Sequence, residues 1–385
     1  IGSCRAAPRC IEHLPSGPVV NPLSPISILS EDDVASLHTA SLEVLRKHGM
    51  RFSLPKARNI LKEAGADVSE SDAMVRFDPD LVMEYVAKAP ASFTLHARNP
   101  VHDLHLDNRH INFSCVSSAP HTTDTLNGRR GGNRQDFENF LKLTQMVNVA
   151  HGTAGYPVEP IDIDVPVRHL HATRATVTLT DKTFRLYNHN RQRTLDVLEM
   201  ARIVHGLSAE AFQETPCVFA SINPNSPREY DESMLWGMIE CALAGQVLMI
   251  SPFILAGAMA PSSLAGALTQ QNAEALAGIA FCQMVRAGTP VAYGGFVSNA
   301  DMKSGAPAFG TPEHVKTTLV IGQMARHYGL PYRAANANAS NAVDAQAAYE
   351  SQMCLWACLV SGANYVYHGL GWLEGGLRKK KKKFI

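Results

Sequence analysis

Residues 328–377 read YGLPYRAANANASNAVDAQAAYESQMCLWACLVSGANYVYHGLGWLEGGL. A β-prone run, a polar loop, a helical segment, a second β-prone run and a Gly-rich loop follow one another in this stretch. That order is the repeating unit of an α/β barrel, in which functional side chains lie where the strands run into the loops. The stretch therefore predicts the fold class and the part of the chain where a functional site belongs.

The same alternation of strand and helix extends upstream of this stretch. Eight β-prone runs, separated by segments of helical periodicity, lie at 111–117, 149–156, 184–190, 217–223, 246–253, 290–296, 331–337 and 363–369. The pattern predicts an α/β fold, a (β/α)8 TIM barrel over residues 111–377. An open dinucleotide-binding sheet would normally show GxGxxG after its first strand, and no such motif is present. After the eighth strand we expect the last helix and the C-terminal region to be missing, with a non-native basic tail at 378–385.

The segment before the barrel divides into two parts. Residues 1–28 are Pro-rich and lack periodicity, which indicates an irregular arm. Residues 29–110 carry three helix starts: a capping box at Ser30–Asp33, and prolines at positions 55 and 79 that suit the first turn of a helix. We therefore expect a helical N-terminal region at 29–110.

Composition and charge exclude several classes of protein. The formal net charge of the 385 residues is zero, which argues against a nucleic-acid-binding or membrane-surface role. No apolar run is long enough for a transmembrane helix, and the first residues lack the apolar core of a secretory signal, so the expected location is cytoplasmic. The eight cysteines form no CxxC pair, and we expect them to be reduced, buried thiols.

The predicted strand ends are rich in aromatic and amide side chains and poor in carboxylates. No Ser–His–Asp spacing and no GxSxG motif stands out, which disfavours hydrolysis. Aromatic rings attract a bulky cation that has no hydrogen-bond donors, such as a quaternary ammonium group. The alternative is that the tyrosines are ordinary barrel-wall residues. The histidines, including His169 and His171 of HLHATR, are not spaced as metal ligands on one face, and no metal site is expected.

Several further motifs resemble those of one enzyme family. They lie at 113–124 with Gly128-Arg129 after it, in SINPNSPREYD (221–231), AGALTQQNAEALAGI (265–279), GTPE (310–313) and GANYVYHGLGWLEGGL (362–377). Together with the opening stretch they resemble the trimethylamine methyltransferase (MttB) family over residues 27–377. The resemblance implies a (β/α)8 barrel that moves a methyl group from a methylated amine to Co(I) of a corrinoid carried by a separate small protein.

The resemblance also implies a branch of the family and a set of site residues. Archaeal trimethylamine enzymes have pyrrolysine where this chain has Asn338, so the chain resembles the non-pyrrolysine, glycine-betaine-type branch. Asn338 and His368 are the implied catalytic residues. The implied substrate-binding residues are Tyr156, Arg185, Tyr187, His189, Tyr293, Tyr367 and Trp372. The aromatic rings would form a cation cage, while Arg185, His189, Asn338 and His368 would hold a carboxylate. Arg185 is the weakest of these, because it could point to the outer layer of the barrel.

Partners and cofactors follow from the same resemblance. No tightly bound cofactor is expected, because the corrinoid (cobalamin) comes with the partner protein. The other expected partner is a small methylated amine. We expect no nucleic-acid partner and no membrane partner, and we expect the protein to form a homo-oligomer. The alternative function is a vestigial barrel that binds quaternary amines without turning them over. A barrel lyase or aldolase would need a lysine or metal-binding carboxylates at the strand ends, which Lys182 and Lys303 do not fit.

Overall fold

The computed structural model describes residues 19–124 and 126–380. The elements before the barrel are β1 (Val19–Val20), α1 (Glu31–Lys47), β2 (Met50–Phe52), α2 (Pro55–Glu63), β3 (Asp67–Ser69), β4 (Met74–Arg76), α3 (Pro79–Val86), β5 (Phe93–Leu95) and β6 (Leu104–Leu106). The first half of the barrel region contains β7 (His110–Cys115), β8 (His121–Asp124), β9 (Gly128–Gly131), α4 (Arg134–Met146), β10 (Gly152–Thr153), α5 (Val165–Leu179), β11 (Thr183–Arg185), α6 (Arg191–Val204), α7 (Ala209–Glu214) and β12 (Val218–Ile222). The second half contains β13 (Glu229–Tyr230), α8 (Glu232–Leu243), β14 (Val247–Ile250), β15 (Phe253–Ala256), α9 (Leu264–Val285), β16 (Val291–Gly294), β17 (Phe296–Asn299), α10 (Pro312–His327), β18 (Tyr332–Ala335), α11 (Ala345–Val360), β19 (Tyr365–Leu370), β20 (Trp372–Leu373) and β21 (Arg378–Lys380).

Eight parallel strands form a closed barrel. Their order is β7, β10, β11, β12, β14, β16, β18 and β19, and β19 pairs with β7 to close the ring. Each of the eight predicted runs contains or overlaps one of these strands, so the predicted (β/α)8 fold class is confirmed. The helices between the strands surround the barrel, as the alternation of β-prone and helical segments requires.

Side chains alternate between the inside of the barrel and the layer under the helices. Phe219, Met249 and Tyr365 belong to the apolar cluster that fills the barrel. Ile250 and Tyr293 belong to a second cluster, which lies between the barrel and the helices. This alternation follows from the two-residue period of a strand, and it decides which residues of a strand can reach the mouth.

The N-terminal region covers one side of the barrel. The three predicted helices are present, and α1 begins at the capping box in which the Ser30 and Asp33 side chains cap each other's backbone N–H groups. Helices α1 and α3 pack on α9, which explains why most residues of α9 are buried, including the polar Gln271 and Asn272. The region also contains five short strands, β2–β6. With three residues each, these strands are too short to produce a recognisable period in the sequence.

The two ends of the described chain both lie against the first barrel strand or its loop. β1 pairs with β7, and β21 pairs with β8 and β20. Residues 371–380 contain β20, β21 and a short 3-10 turn, without an α-helix. Most of the predicted arm, 1–18, and the end of the basic tail, 381–385, lie outside the described residues. The predicted domain boundaries stay predictions.

Two further features concern the described part of the chain, its helices and its cysteines. Within the described residues, no helix combines the length and the apolar character that crossing a membrane would require. The six cysteines in this part of the chain are buried and form no disulfide.

Candidate active site

The C-terminal ends of the barrel strands form the barrel mouth, where most of the predicted site residues lie. They form two groups. The β10/β11 wall consists of Tyr156, Arg185, Tyr187 and His189. The β18/β19 wall consists of Arg333, Asn338, Tyr367, His368 and Trp372. Tyr293 belongs to neither wall.

The β10/β11 wall is a short stack of rings on the loops after two strands. The rings of Tyr156 and Tyr187 are stacked with centroids 5.1 Å apart, and the ring of His189 lies 4.8 Å from that of Tyr187. Phe137 on α4 contacts Tyr156 edge-on, which supports the stack from the outside. Tyr156 Oη is buried, and it has no hydrogen-bond partner among the described residues.

A small cavity of about 120 Å³ opens in front of this wall. Its lining consists of Ser118, Gly155, Tyr156, Glu159, Arg185, Leu186, Tyr187 and His189. Gly155 has a φ of 141°, and a Cβ there would lie 3.2 Å from Arg185 Nη1, so a side chain would crowd the cavity. Arg185 therefore points into the barrel mouth rather than to the outer layer. The cavity is smaller than a typical ligand pocket, so it suits a small group rather than a large ligand.

Burial keeps the rings of this cavity uncharged near neutral pH. It lowers the pKa of His189 to about 4, and the nearby positive charge of Arg185 contributes in the same direction. Burial also raises the pKa of Tyr156 far above its usual value. Glu159 is the one carboxyl group in the lining, and burial raises its pKa while Arg168, 3.6 Å away, partly opposes that rise.

The β18/β19 wall is centred on His368. Its ring lies 4.2 Å from the ring of Trp372, and its backbone adopts a φ of 59° at an irregularity in the pairing of β19 with β7. A left-handed backbone is rare for a residue with a side chain, and such residues are frequent at functional sites. Burial holds the pKa of His368 well below its ordinary value, and Arg333 and Arg185 add to this effect. His368 is therefore a neutral imidazole at physiological pH.

Asn338 ties the loop after β18 to the loop after β19. Its Nδ2 donates to Ser351 Oγ on α11 (2.9 Å) and to the backbone carbonyl of Trp372 (3.1 Å). Trp372 Nε1 donates in return to the carbonyl of Asn338 at 2.9 Å. Asn336, two residues earlier, donates to the carbonyl of His368 at 3.3 Å. Asn336 and Asn338, two residues apart in ANANAS, therefore both direct their side chains at the segment that carries His368 and Trp372.

Arg333 is a member of the site that the sequence interpretation missed. It lies in β18, and only 4% of its surface is exposed. Its Nη1 donates to Ser251 Oγ at 2.8 Å, and its guanidinium carbon lies 3.8 Å from the centre of the Tyr367 ring. No carboxylate among the described residues pairs with it, although an unpaired buried charge is costly. The signal in the sequence is a single charged residue in the otherwise small and apolar run that forms the seventh barrel strand.

Tyr293 is not brought to the mouth. It lies in the layer between the barrel and the helices, where its Oη donates to Asn272 Oδ1 on α9 at 2.7 Å. The small residues on either side, Ala292 and Gly294, take the inward positions of β16. Because the side-chain period of a strand is two, Tyr293 faces outward and cannot join a cage at the mouth.

The geometry provides no site for a metal ion in the described part of the chain. No group of three or more His, Cys, Asp or Glu side chains lies close enough together there to hold one. The mouth instead combines aromatic rings, neutral imidazoles, amides and two guanidinium groups. This set can attract a cationic group with its rings and an anionic group with its arginines, and it contains no nucleophile activated by a base.

Comparison with known proteins identifies this α/β barrel as an enzyme of the methyltransferase class, because its family and its relatives are methyltransferases. The chain belongs to the trimethylamine methyltransferase (MTTB) family, whose model matches residues 3–385. It is 36% identical over 360 residues to a glycine betaine methyltransferase of Desulfitobacterium hafniense (strain Y51). This match covers 93% of this chain and 74% of that protein.

A second relative and one solved structure are also similar to this chain. A trimethylamine methyltransferase MttB of Desulfitobacterium hafniense (strain DSM 10664 / DCB-2) is 28% identical over 350 residues, covering 90% of this chain and 70% of that protein. The solved structure of the Methanosarcina barkeri monomethylamine methyltransferase (MtmB) superposes with a TM-score of 0.57 at 9% identity, over 94% of this chain and 79% of that one. At that identity the superposition supports the fold alone.

Proposed function

We propose that this methyltransferase moves a methyl group from a quaternary or tertiary methylamine of the betaine type to Co(I) of a corrinoid carried by a partner protein. The likeness to the glycine betaine methyltransferase of Desulfitobacterium hafniense supports the substrate class. The observation that carries the proposal is the ring-lined cavity of the mouth, in which the stacked rings of Tyr156 and Tyr187 lie beside Arg185 and Glu159 is the one carboxyl group.

The reaction needs no proton from the protein when the substrate is a quaternary amine, and a tertiary amine would react as its protonated ammonium form, which keeps its own proton on nitrogen. The bond between nitrogen and the methyl carbon breaks, the electron pair stays on nitrogen, and the methyl carbon takes a new pair from Co(I). A quaternary amine thereby leaves as a neutral tertiary amine. Because no proton moves, a general acid would add nothing, and the low pKa values of His189 and His368 are compatible with this chemistry.

The residues of the mouth would act on the charge and position of the substrate. The faces of Tyr156 and Tyr187 attract a quaternary ammonium group through their quadrupoles, and more strongly where water is excluded. The fixed loops of the β18/β19 wall would hold the reacting methyl group in line with the approaching acceptor. Such positioning lowers the activation barrier, because the entropy of bringing the reacting groups together is lost on binding rather than in the reaction step. Asn338 would serve by holding Trp372 in place, with its Nδ2 occupied by protein partners.

The test is methyl transfer measured by absorbance. The full-length protein is mixed with a reduced corrinoid protein and with glycine betaine, choline, trimethylamine or tetramethylammonium, and the spectrum of the methylated corrinoid is followed. We expect methylation with glycine betaine and formation of dimethylglycine. Failure of every amine to methylate the corrinoid would contradict the proposal. If those amines still raise the unfolding temperature, the alternative of a non-catalytic quaternary-amine-binding barrel is favoured.

A further inference from the structure

The inside of the mouth contains two guanidinium groups that form no ion pair with a described carboxylate. Glu159 lines the same cavity as Arg185, and burial raises the pKa of Glu159 while the charges of Arg168 and Arg185 partly oppose that rise. Arg333 is 4% exposed, and its Nε is buried without a hydrogen-bond partner among the described residues. Arg185 Nε is in the same state, and its Nη2 reaches only Asn188 Oδ1, at 3.3 Å. Neither side chain forms an ion pair with any described residue. Buried charges are normally paired, so the buried Arg333 beside the half-buried Arg185 requires an explanation.

The two arginines act on the same neighbours. Burial raises the pKa of Tyr367, and the positive charges of Arg185 and Arg333 both oppose that rise. Burial lowers the pKa of Arg333, and the charge of Arg185 lowers it further. The two guanidinium groups therefore repel each other near the Tyr367 ring, and an anion between them would remove that repulsion.

The surroundings of Arg333 are shaped to hold it in one orientation. Ser251 Oγ accepts from Nη1, and the centre of the Tyr367 ring lies 3.8 Å from the guanidinium carbon, while Nε has no partner among the described residues. Gly294 pairs with Arg333 in the barrel, and a Cβ at Gly294 would lie 3.0 Å from Ser251 Oγ. A larger residue at Gly294 would therefore disturb the contact that orients Arg333.

We propose that Arg333 and Arg185 form a carboxylate-binding subsite, which selects zwitterionic amines with a carboxylate close to the ammonium group. An arginine edge presents two parallel N–H donors that match the two oxygens of a carboxylate. Arg185 lines the cavity beside Tyr156 and Tyr187, whereas Arg333 is not part of that lining. In the proposed arrangement a short zwitterion places its ammonium group against the two rings and directs its carboxylate past Arg185 towards Arg333. This inference rests on the proposed function for the identity of the substrate, and it assigns the specificity to a residue in β18.

Binding measured without the corrinoid protein separates this subsite from methyl transfer, because no methyl acceptor is then present. Glycine betaine carries both charges, 3,3-dimethylbutanoate has the same shape with the carboxylate alone, and tetramethylammonium has the cation alone. Calorimetric affinities at constant ionic strength are measured for the wild type, Arg333→Gln, Arg333→Lys, Arg185→Gln and the control Arg286→Gln. Arg286 pairs with Glu214 on the outer surface.

We expect Arg333→Gln to weaken glycine betaine and 3,3-dimethylbutanoate by roughly 30-fold or more, as for the loss of one partner of a buried charge pair. Arg185→Gln should weaken the same two ligands, and Arg333→Lys should recover only part of the loss because it lacks the planar fork. Tetramethylammonium should bind Arg333→Gln at least as tightly as the wild type. Arg286→Gln should change none of these affinities.

The ligand-free unfolding temperature shows whether the variant is folded. Since Arg333→Gln removes an uncompensated buried charge, it should unfold at or above the wild-type temperature. Unchanged affinity of folded Arg333→Gln for 3,3-dimethylbutanoate, or no measurable binding of this probe to the wild type, would overturn the subsite. Arginine-dependent binding of the probe without methyl transfer from any betaine would support the subsite while refuting the proposed function.

Discussion

The two walls of the barrel mouth are built from similar residue types but are held in place differently. In the β10/β11 wall, Tyr156, Tyr187 and His189 contact one another through their ring faces and edges, and Tyr156 Oη has no partner among the described residues. In the β18/β19 wall, Asn338 and Trp372 are joined by two hydrogen bonds between their loops.

This difference suggests two functions, cation binding for the β10/β11 wall and positioning of the methyl group for the β18/β19 wall. Ring contacts are weakly directional, so the β10/β11 wall can adjust around a cation and leaves a cavity in front of it. Hydrogen bonds between two loops fix distances within a few tenths of an ångström, so the β18/β19 wall can serve as a rigid reference for the reacting methyl group. Changes in the first wall should alter affinity, whereas changes in the second should alter stability and rate.

The largest effect is expected for Asn338→Asp. The new carboxylate would lose the donor to the Trp372 carbonyl and would place a charge in a fully buried position. We expect a loss of about 2–4 kcal/mol in the free energy of unfolding, measured by urea denaturation, with a fall in kcat. Asn341→Asp, an exposed change in the same loop, is the control. Equal stability of the two variants would show that the β18/β19 wall does not depend on Asn338.

Tyr156→Ala tests the opposite wall. Removing the ring from the stack with Tyr187 should weaken the binding of a quaternary ammonium ligand by roughly 10- to 30-fold, since a desolvated cation–π contact contributes about 2 kcal/mol. Tyr156→Phe keeps the ring and should bind nearly as tightly as the wild type, because Oη has no partner to lose. Calorimetry with tetramethylammonium measures both. A Phe variant as weak as the Ala variant would contradict a role for the ring face.

The histidines of the two walls predict how stability depends on pH. Burial lowers the pKa of His189 from 6.5 to about 4 in the folded state, so the unfolded chain binds the proton more readily. The contribution of His189 to the free energy of unfolding is therefore fully present above pH 6.5. It falls as the pH drops from 6.5 towards 4, by at most about 1.4 kcal/mol per pH unit.

Urea denaturation at a series of pH values checks this dependence. His189→Gln should lose stability less steeply than the wild type over that window, and His368→Gln should act in the same direction, because burial also holds the pKa of His368 low. A wild-type slope that neither variant reduces would show that these imidazoles take up protons as readily in the folded chain as in the unfolded one.

The smallest effect is expected for Tyr293→Phe, outside both walls. The variant loses the buried hydrogen bond to Asn272 and should lower the free energy of unfolding by about 1 kcal/mol. Affinity for tetramethylammonium and the KM for glycine betaine should not change, since the ring faces the layer under the helices. A change in either, at unchanged stability, would return Tyr293 to the list of cage residues.

The fold could be predicted because its signals are local and repeated. Eight β-prone runs alternate with helical segments, and the capping box at Ser30 and the prolines at positions 55 and 79 mark helix starts that the structure contains. Strands β2–β6 could not be predicted, because three residues do not produce a recognisable alternation.

The sequence placed the candidate residues at the strand ends, and the structure gathers most of them at the barrel mouth, so this common location was predictable. The direction of each side chain was not, because it depends on whether the residue holds an odd or an even position in its strand, which separates outward Tyr293 from inward Arg333. The partner of Asn338 is Trp372, which lies on a different loop and was not identifiable from spacing. Arg333 is the one charged residue in its strand, and this is visible in the sequence. Its meaning becomes clear only in the structure, where Arg333 has no ion-pair partner among the described residues.

A crystal structure of the protein with glycine betaine is the most direct test of the account. We expect the trimethylammonium group in the cavity against Tyr156 and Tyr187, one methyl group directed out of the mouth, and the carboxylate on the Nε edge of Arg333. Density for the ligand outside the mouth, or with the carboxylate against the tyrosine rings and the ammonium group beside Arg333, would contradict the assignment of the two walls.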